Sequence, residues 1–235
     1  MKALLLAAGL GTRLKPLTNK IPKCLVPIKG KPLLEYWLRM LVHAEVYPIL
    51  INLHYFSDQV CTYLENSEFC SFVTTVYEDN LLGTGGTLLK NRDFFDNEPI
   101  ILIHADNLSR FNMKAFIRQH QNCPRGCKIT MMTFNTSTPN DCGIVELDDR
   151  GVVQAFYEKV SDPPGNLANG AVYILDPSII DFLASLDKEV IDFSTEILPH
   201  YLGHIYTFHN NMYHRDIGTM ESYKAANREF NVDYE

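Results

Sequence analysis

A chain of 235 residues, with 46% hydrophobic and 21% charged residues, has an ordinary globular composition, which argues against a disordered, coiled-coil or fibrous protein. Its net charge of −7 argues against general nucleic-acid binding, which needs a broad basic face. The 6 cysteines lack the density and regular spacing of a disulfide framework, so we expect reduced thiols.

The first predicted element is a short apolar run at residues 3–8. It ends in glycines, and basic residues follow it rather than precede it, which favours a buried strand over a signal peptide. No other stretch of the sequence approaches the roughly 20 apolar residues of a membrane helix. We therefore expect a soluble, cytoplasmic protein that does not bind membranes.

Short apolar runs alternate with amphipathic stretches along the chain. The apolar runs predict strands at Lys2–Ala8, Pro48–Leu53, Phe72–Tyr77, Ile100–His104, Lys128–Thr133, Val172–Leu175 and Ile205–His209. The amphipathic stretches predict helices near Leu33–Ala44, Ser57–Asn66, Thr84–Lys90, Met113–His120, Pro177–Leu186, Ser194–Leu202 and Glu221–Phe230. Ser57 is expected to cap its helix. The alternation predicts an α/β fold with a mainly parallel sheet and helices on both sides.

The pattern changes after Thr133. The sequence CGIVELDDRGVVQAFYEK at residues 142–159 predicts two strands joined by an Asp-Asp-Arg-Gly turn, which is a β-hairpin. We expect a single domain over residues 1–235, with a first part at 1–133, a small hairpin lobe at 134–175 and a C-terminal segment with a helix at 205–230.

Cys123 and Cys127 could form half of a zinc site, but no second Cys/His pair has a spacing that completes it.

Basic residues are concentrated at the start of the chain. The first 34 residues contain seven Lys and Arg and no acid, and Gly9 and Gly11 directly follow the first predicted strand. Glycine permits the backbone N–H groups of such a loop to approach an anion closely. Leu14 stands where the dinucleotide fingerprint has its third glycine, and the Gly-Lys-Ser/Thr of a P-loop is absent. The segment predicts a site for a small polyanion such as a nucleoside triphosphate.

Longer segments carry a more specific resemblance. AAGLGTRLKPLT, followed by PKCLVPIKGKPLLEYWL, closely resembles the signature of the sugar-1-phosphate nucleotidylyltransferases, which make nucleotide sugars. Matching segments continue along nearly the whole chain: EDNLLGTGG at 78–86, HADN at 104–107, CGIV at 142–145, FYEKV at 156–160, NLANGAVYIL at 166–175 and RDIGTMESY at 215–223. The resemblance implies a Rossmann-like three-layer α/β sandwich with a mainly parallel mixed sheet, and a small β-hairpin lobe that binds the sugar.

The same resemblance implies a nucleotide site, chiefly in the first part of the chain. Its expected residues are Leu6, Ala8, Gly9, Gly11, Thr12, Arg13, Lys23, Glu78, Gly83, Thr84 and Asp106. Backbone amides of the glycine loop would hold the triphosphate, while Arg13 would neutralise the leaving pyrophosphate and Lys23 the α phosphate. Preorganised cations supply the positioning and charge stabilisation that phosphoryl-type transfer needs. The alternative for Arg13 and Lys23 is a solvated surface charge.

A metal site is implied as well. Asp106 and Asp216 would converge on Mg²⁺, a hard cation that accepts oxygen ligands and bridges phosphates. The neighbouring His104 and His214 are interpreted as structural residues. The expected catalytic residues are Arg13, Lys23, Asp106 and Asp216.

The sugar phosphate is expected to bind through residues that match the later family segments. These residues are Asn107, Gly143, Glu158, Lys159 and Asn169. Glu158 would accept hydrogen bonds from sugar hydroxyls, and Lys159 would pair with the 1-phosphate. For both side chains the alternative is an exposed ion pair at a strand end, which contributes little free energy. Val160 stands where the family often has proline, so the lip of the sugar pocket is expected to differ.

The choice of base is expected to depend on Glu78, which lies where uridylyl and thymidylyl relatives commonly carry glutamine. A carboxylate only accepts hydrogen bonds, and it can take both the N1–H and the N2–H₂ donors of guanine. Cytosine also offers a donor, so a CTP-dependent enzyme stays open. The alternative is that Glu78 faces solvent and the backbone around Gly83–Gly85 binds the base.

The expected activity is that of a sugar-1-phosphate guanylyltransferase, which joins a hexose or heptose 1-phosphate to GTP and releases pyrophosphate. The chain resembles short bacterial enzymes for mannose 1-phosphate or D-glycero-α-D-manno-heptose 1-phosphate, and the sequence does not decide between these sugars. Two alternatives stay open: a CTP- or UTP-dependent enzyme acting on a sugar 1-phosphate or a phospho-alcohol, and a non-catalytic nucleotide-sugar sensor. A monomer or homodimer is expected.

Overall fold

The structure, a computed structural model, describes residues 1–231. Within these residues the strands are β1 (Lys2–Leu6), β2 (Pro27–Ile28), β3 (Lys31–Pro32), β4 (Ile49–Leu53), β5 (Val73–Tyr77), β6 (Ile100–His104), β7 (Asn107–Arg110), β8 (Ile129–Asn135), β9 (Gly143–Leu147), β10 (Val153–Glu158), β11 (Leu167–Leu175), β12 (Ile205–His209) and β13 (Tyr213–Asp216). The α-helices are α1 (Leu33–His43), α2 (Ser57–Glu65), α3 (Gly83–Lys90), α4 (Met113–Gln121), α5 (Ser178–Ser185) and α6 (Met220–Glu229).

The chain divides into two units, each assembled from separate segments. Unit 1 contains residues 1–2, 81–103 and 112–211, and unit 2 contains residues 3–80, 104–111 and the described residues from 212 onward. The single domain and the three parts expected from the sequence stay predictions. No helix in the described part of the chain is long and apolar enough to cross a membrane.

A parallel sheet of β1, β4 and β5 forms the centre of unit 2. Ala3 lies opposite Ile49, which in turn lies opposite Val73. All five residues of β4 are buried, as expected for a parallel strand covered on both faces. Because the carboxyl ends of parallel strands lie along one edge, the segments beginning at residues 7, 54 and 78 are brought together there.

A two-stranded antiparallel ribbon, β7 with β13, is the second important feature of unit 2. Asn107 lies opposite Asp216, and Ser109 lies opposite His214. The ribbon packs within a core cluster that joins α1, α6 and the turn after the glycine loop, which is the name used here for residues 7–12. Its buried members are Leu14, Val26, Ile28, Leu33, Leu108, Ile217, Ala226 and Phe230. Burial of apolar side chains from both ends of the chain therefore holds the ribbon in place.

Unit 1 contains a mixed sheet. β11 runs antiparallel to β6 and to β8, while β12 runs parallel to β8. β9 and β10 form the predicted hairpin, with Gly143 opposite Glu158. The register of β11 against β8 shifts between Asn169 and Tyr173, where Ala171 has a φ of 53°. This β-bulge redirects the strand beside Asn169.

Two details of the predicted helices are wrong. The helix expected at Ser194–Leu202 is instead a π-helical turn, Phe193–Ile197, followed by a 3₁₀ turn, Leu198–Tyr201. Pro199 lies in this region, and its missing N–H and ring disfavour a continuous α-helix. Ser57 is not an N-cap but the first residue of α2, and Phe56 precedes it in the left-handed conformation.

Candidate functional site

The glycine loop follows β1 and is tightly held at Gly11. Gly11 has a φ of 61°, and a β-carbon there would lie 2.8 Å from Thr18 Cγ2 and 3.2 Å from Lys23 Cβ. Thr18 is buried, and its hydroxyl donates a hydrogen bond of 2.8 Å to the Gly11 carbonyl. Only glycine fits this conformation and this space without strain. The loop is therefore fixed close to Lys23.

Lys23 connects the two predicted metal ligands. Its Nζ donates hydrogen bonds of 2.8 Å to Asp106 Oδ2 and 3.3 Å to Asp216 Oδ1. The Lys23 side chain is only 7% exposed, whereas those of Asp106 and Asp216 are 42% and 53% exposed. A buried ammonium group requires such partners. Lys23 is therefore not the solvated surface charge of the alternative interpretation, and the carboxylates remain accessible to ligands.

The β7–β13 ribbon explains how two distant aspartates meet. Asp106 directly precedes β7, and Asp216, the last residue of β13, pairs with the first residue of β7. The Trp37 indole donates a hydrogen bond of 2.8 Å to the Asn107 carbonyl. Ser109 Oγ and His214 Nδ1 lie 2.5 Å apart across the ribbon. These buried contacts fix the ribbon, and hence the separation of the two carboxylates.

Arg13 lies at the exposed rim of this group. Its Nη2 is 3.7 Å from Asp216 Oδ2, and its side chain is 71% exposed. An ion pair this exposed is weak, so the guanidinium can exchange Asp216 for another anion. A β-carbon at Gly218 would lie 2.6 Å from Asp216 Oδ2 and 3.0 Å from Arg13 Nη2. Gly218 thus provides the space in which these two side chains meet.

The charges around Asp106 favour its ionised form. Partial enclosure by protein would raise the pKa of Asp106, but the charges of Lys23 and His104 and the Lys23 hydrogen bond lower it below its usual range. Burial lowers the pKa of His214 to about 3, against the opposing effect of the Asp106 charge. His214 is therefore neutral at physiological pH, which agrees with a structural role.

Asp106 and Asp216 could together hold a divalent metal ion. Both side chains are partly exposed, and one oxygen of each contacts the same Lys23 ammonium group. Mg²⁺ commonly binds one or two carboxylates together with water and substrate phosphates. Within residues 1–231 no cluster of three or more His, Cys, Asp or Glu side chains could hold a metal ion. The residues present thus fit a metal shared with a phosphate ligand, and Cys123 and Cys127 are not completed into a zinc site.

Glu78 directly follows β5 and does not face solvent, so that part of the alternative is wrong; binding of the base by the backbone around Gly83–Gly85 stays a prediction. It is 1% exposed, and its Oε1 accepts a hydrogen bond of 3.2 Å from Asn52 Nδ2. Its backbone N–H donates to the Leu53 carbonyl at 2.9 Å, and its own carbonyl lies 2.7 Å from His54 Nδ1. The backbone and the side chain of Glu78 are both held in one orientation.

Two nucleotide-binding residues expected from the sequence, Gly83 and Thr84, lie in unit 1 at the start of α3. Thr84 Oγ1 accepts a hydrogen bond of 2.7 Å from the Phe193 backbone N–H. The Gly85 N–H donates to the Ile191 carbonyl at 2.9 Å. A β-carbon at Gly83 would lie 2.5 Å from the same carbonyl oxygen. The glycines therefore serve first to pack α3 against the segment around Ile191.

The residues expected to bind the sugar phosphate in unit 1 occupy the hairpin and β11. Glu158 and Lys159 form an ion pair of 3.1 Å at the end of β10. A β-carbon at Gly143 would lie 2.7 Å from Glu158 Oε2, so the glycine lets this carboxylate lie across β9. Asn169 Nδ2 donates a hydrogen bond of 2.7 Å to the Tyr173 hydroxyl. The hairpin thus brings Gly143, Glu158 and Lys159 together.

The structure therefore groups the predicted residues by unit. Unit 2 holds Leu6, Ala8, Gly9, Gly11, Thr12, Arg13, Lys23, Glu78, Asp106, Asn107 and Asp216, and unit 1 holds Gly83, Thr84, Gly143, Glu158, Lys159 and Asn169. Their binding and catalytic roles stay predictions.

Sequence reasoning missed Asn52, although a single amide within the apolar strand ILINL was a visible signal. It also missed the spatial role of Gly218, which lies inside the segment RDIGTMESY.

The sequence of this chain is similar to those of known proteins. The profile of the family described as nucleotidyl transferase matches residues 2–232. The rice (Oryza sativa subsp. japonica) protein named "Probable mannose-1-phosphate guanylyltransferase 3" is 32% identical over 200 residues, which cover 81% of this chain and 55% of the rice protein. The chain thus spans about half the length of the curated relatives it matches.

Solved structures extend the likeness to the three-dimensional fold. A Bacillus anthracis structure named "Putative Glucose-1-Phosphate Thymidylyltransferase", in complex with sucrose, has a TM-score of 0.88 at 22% identity, covering 100% of this chain and 98% of its own. HddC from Yersinia pseudotuberculosis, complexed with GMP-PN, has a TM-score of 0.80 at 28% identity, covering 98% of this chain and 99% of its own. The predicted α/β class, with a mixed, mostly parallel sheet and helices on both sides, is confirmed. The chain belongs to the nucleotidyl transferase family.

Proposed function

We propose that this protein joins a sugar 1-phosphate to GTP, releasing pyrophosphate and forming a GDP-sugar. The observation that carries the proposal is the position of the Lys23 ammonium, within 2.8 Å of Asp106 and 3.3 Å of Asp216, with Arg13 3.7 Å from Asp216. Two cations and two carboxylates on a rigid support suit a reaction that depends on positioning and charge stabilisation.

Each of these residues has a proposed task. The amides of Gly9, Gly11 and Thr12 bind the triphosphate, and Arg13 exchanges Asp216 for the departing pyrophosphate. Lys23 stabilises the charge that develops on the α phosphate as the oxygen of the sugar 1-phosphate attacks in line. Breaking the bond to pyrophosphate completes the transfer, so no covalent enzyme intermediate is needed.

Asp106 and Asp216 would hold Mg²⁺, which would supply positive charge to neutralise the phosphates. The support for this choice is the oxygen-only donor set and its exposure beside the glycine loop. The lowered pKa of Asp106 keeps that carboxylate ionised at physiological pH. Asn107 follows Asp106 in the buried ribbon and is proposed to help place the sugar phosphate.

Guanine is the proposed base. The Glu78 carboxylate would accept from the N1–H and N2–H₂ groups of guanine, and it could not donate to the carbonyl groups of uracil or thymine. The similarity to the rice guanylyltransferase and to HddC with GMP-PN supports the same choice. Gly83 and Thr84 are also proposed to bind the nucleotide.

The proposed sugar substrates are hexose and heptose 1-phosphates, including mannose 1-phosphate. Glu158 would bind sugar hydroxyls, Lys159 the phosphate, and Gly143 and Asn169 the ring. The hairpin supports this proposal because it presents the Glu158–Lys159 pair at its end, with the Lys159 side chain 64% exposed. The cytoplasmic location and the monomeric or homodimeric state expected from the sequence stay predictions.

A direct test is product detection by mass spectrometry. The protein is incubated with Mg²⁺, a mixture of GTP, CTP, UTP and dTTP, and a panel of sugar 1-phosphates. We expect a GDP-sugar and stoichiometric pyrophosphate. A CDP- or UDP-product would replace the guanine assignment, and tight nucleotide binding without any product would favour a non-catalytic sensor.

A further inference from the structure

Asn52 is a buried amide in a strand that is otherwise apolar. It is 3% exposed, and the other four residues of β4 are isoleucine or leucine. In the register of the parallel sheet it lies between Leu6 of β1 and Val76 of β5. Burying an amide costs free energy unless its donor and acceptor are both satisfied. A buried amide in this strand therefore needs a partner for its oxygen and another for its nitrogen.

Both ends of the Asn52 amide are used. Its Oδ1 accepts a hydrogen bond of 2.8 Å from the Ala7 backbone N–H, at the start of the glycine loop. Its Nδ2 donates a hydrogen bond of 3.2 Å to Glu78 Oε1. One side chain thus links the first residue after β1 to the carboxylate after β5, across the edge of the sheet where the proposed nucleotide site lies.

The hydrogen bond from Asn52 restricts the orientation of the Glu78 carboxylate. The Glu78 backbone is fixed on both sides, since its N–H donates to Leu53 and its carbonyl contacts His54. The Asn52 hydrogen bond restricts one side-chain torsion of Glu78, the rotation of the carboxylate plane. Guanine offers two adjacent donors in one plane, so its recognition depends on that orientation.

We infer that Asn52 is a positioning residue that sets the choice of base by orienting the Glu78 carboxylate. This inference rests on the proposed function, because it takes Glu78 to bind the base. The Asn52 amide donates and the Glu78 carboxylate accepts, so the hydrogen bond acts directly on a carboxylate oxygen. Asn52 also holds Ala7, so the base-binding and phosphate-binding segments share one support.

Asn52→Asp isolates the proposed role. The substitution preserves the shape and keeps an oxygen that can accept from the Ala7 N–H, but it places a second carboxylate against Glu78 in place of a donor. Two facing carboxylates repel each other or share a proton, and either response changes the orientation or charge of Glu78. Asn80→Asp is the matched control, since Asn80 is exposed and the chemical change is the same.

The test measures the dissociation constants of GTP, CTP and UTP with Mg²⁺ by calorimetry on the full chain. We expect Asn52→Asp to weaken GTP binding at least tenfold while changing UTP binding less than threefold, and Asn80→Asp to leave GTP, CTP and UTP binding unchanged. Equal losses for all three nucleotides would overturn the inference, because a merely structural residue would act that way. The melting temperature of each variant is measured alongside.

A second pair of variants keeps the inference testable if Asn52→Asp does not fold. In Glu78→Gln, the Asn52 amide donates to the new side-chain carbonyl. In the double variant Asn52→Asp with Glu78→Gln, the glutamine amide must instead donate to the carboxylate introduced on β4, so it presents the opposite edge to the base. We expect different GTP to UTP affinity ratios in these two variants, and identical ratios would contradict an orienting role.

The outcomes also separate this inference from the proposed function. Wild-type protein that binds CTP more tightly than GTP, or that forms no product, would refute the guanine or the transferase assignment. The role of Asn52 is decided independently, by whether the ratio of affinities changes in the variants.

Discussion

Lys23 Nζ lies 2.8 Å from Asp106 Oδ2, and the same ammonium group reaches Asp216 Oδ1 at 3.3 Å. One buried cation therefore neutralises much of the charge of two carboxylates that are proposed to bind metal. A divalent cation at these carboxylates has to compete with Lys23 for their oxygens. The triphosphate offers Lys23 an alternative partner, so binding of metal and of nucleotide should assist each other.

Lys23→Met tests this relationship. Removing the ammonium group should strengthen Mn²⁺ binding in the absence of nucleotide, measured by electron paramagnetic resonance, because the two carboxylates lose their internal partner. The same variant should lower kcat by about 100-fold, as expected when a preorganised group that stabilises the transition state is lost. Lys20→Met, at an exposed lysine, is the control for both measurements. Unchanged Mn²⁺ affinity in Lys23→Met would contradict the proposed competition.

Asp216→Asn is expected to reduce turnover by about 100-fold or more while the fold stays intact. The amide keeps the size of the side chain but removes the negative charge that a metal ion requires. Pyrophosphate release gives the rate, and the thermal melting curve reports the fold. Asp149→Asn, in an exposed turn, should match the wild type in both. Full activity in Asp216→Asn would remove Asp216 from the metal site.

Gly218→Ala is expected to reduce kcat by about 10- to 100-fold, with little loss of stability. The added β-carbon would lie 2.6 Å from Asp216 Oδ2 and 3.0 Å from Arg13 Nη2, and these flexible side-chain ends would move aside. Gly165→Ala is a suitable comparison, because a β-carbon at Gly165 would meet no atom within 4 Å. The prediction is wrong if both alanine variants turn over substrate at the wild-type rate.

Cys24 is expected to resist alkylation at pH 8, whereas the exposed Cys70 reacts. Burial raises the pKa of the Cys24 thiol to about 12, and the Asp106 charge adds to this effect, so the reactive thiolate is scarce. Iodoacetamide labelling followed by peptide mass spectrometry distinguishes the two residues. Rapid labelling of Cys24 in the folded protein would contradict the prediction, and labelling after unfolding is the positive control.

The raised pKa of Cys24 also predicts a pH dependence of stability. Above about pH 8.5 the unfolded thiol loses its proton while the folded thiol keeps it, so the unfolded state binds fewer protons. The contribution of Cys24 to the free energy of unfolding should therefore fall as the pH rises from about 8.5 towards 12. Urea unfolding of the wild type and of Cys24→Ala should show a stability difference that changes with pH in this direction.

The fold was most predictable where the hydrophobic pattern was continuous. β4 and β6 are nearly all apolar because they are buried, and α1 repeats buried leucines at helical spacing, so their sequences indicate their structures directly. β7 and β13 read NLSR and YHRD, and no periodicity identifies such short polar strands. Their pairing depends on tertiary contacts, including the Trp37 hydrogen bond to Asn107.

The candidate site was predictable in composition but not in geometry. The family segments identified Arg13, Lys23, Asp106 and Asp216, yet nothing in the sequence indicates that one ammonium group contacts both carboxylates. The alternative that Glu78 faces solvent could be rejected only from its burial. Asn52 lies within a predicted strand. Its hydrogen bonds to Ala7, after β1, and to Glu78, after β5, are known only from the structure.

The β7–β13 ribbon has a consequence for how the protein folds. Lys23 is separated from Asp106 by 83 residues and from Asp216 by 193, so the three groups meet only after two long loops have closed. Contacts of such high sequence separation form slowly, and the last of them must await synthesis of the chain through Asp216. Lys23 therefore acquires its second carboxylate late, and nascent or partly folded chains should remain inert towards nucleotides until the ribbon forms.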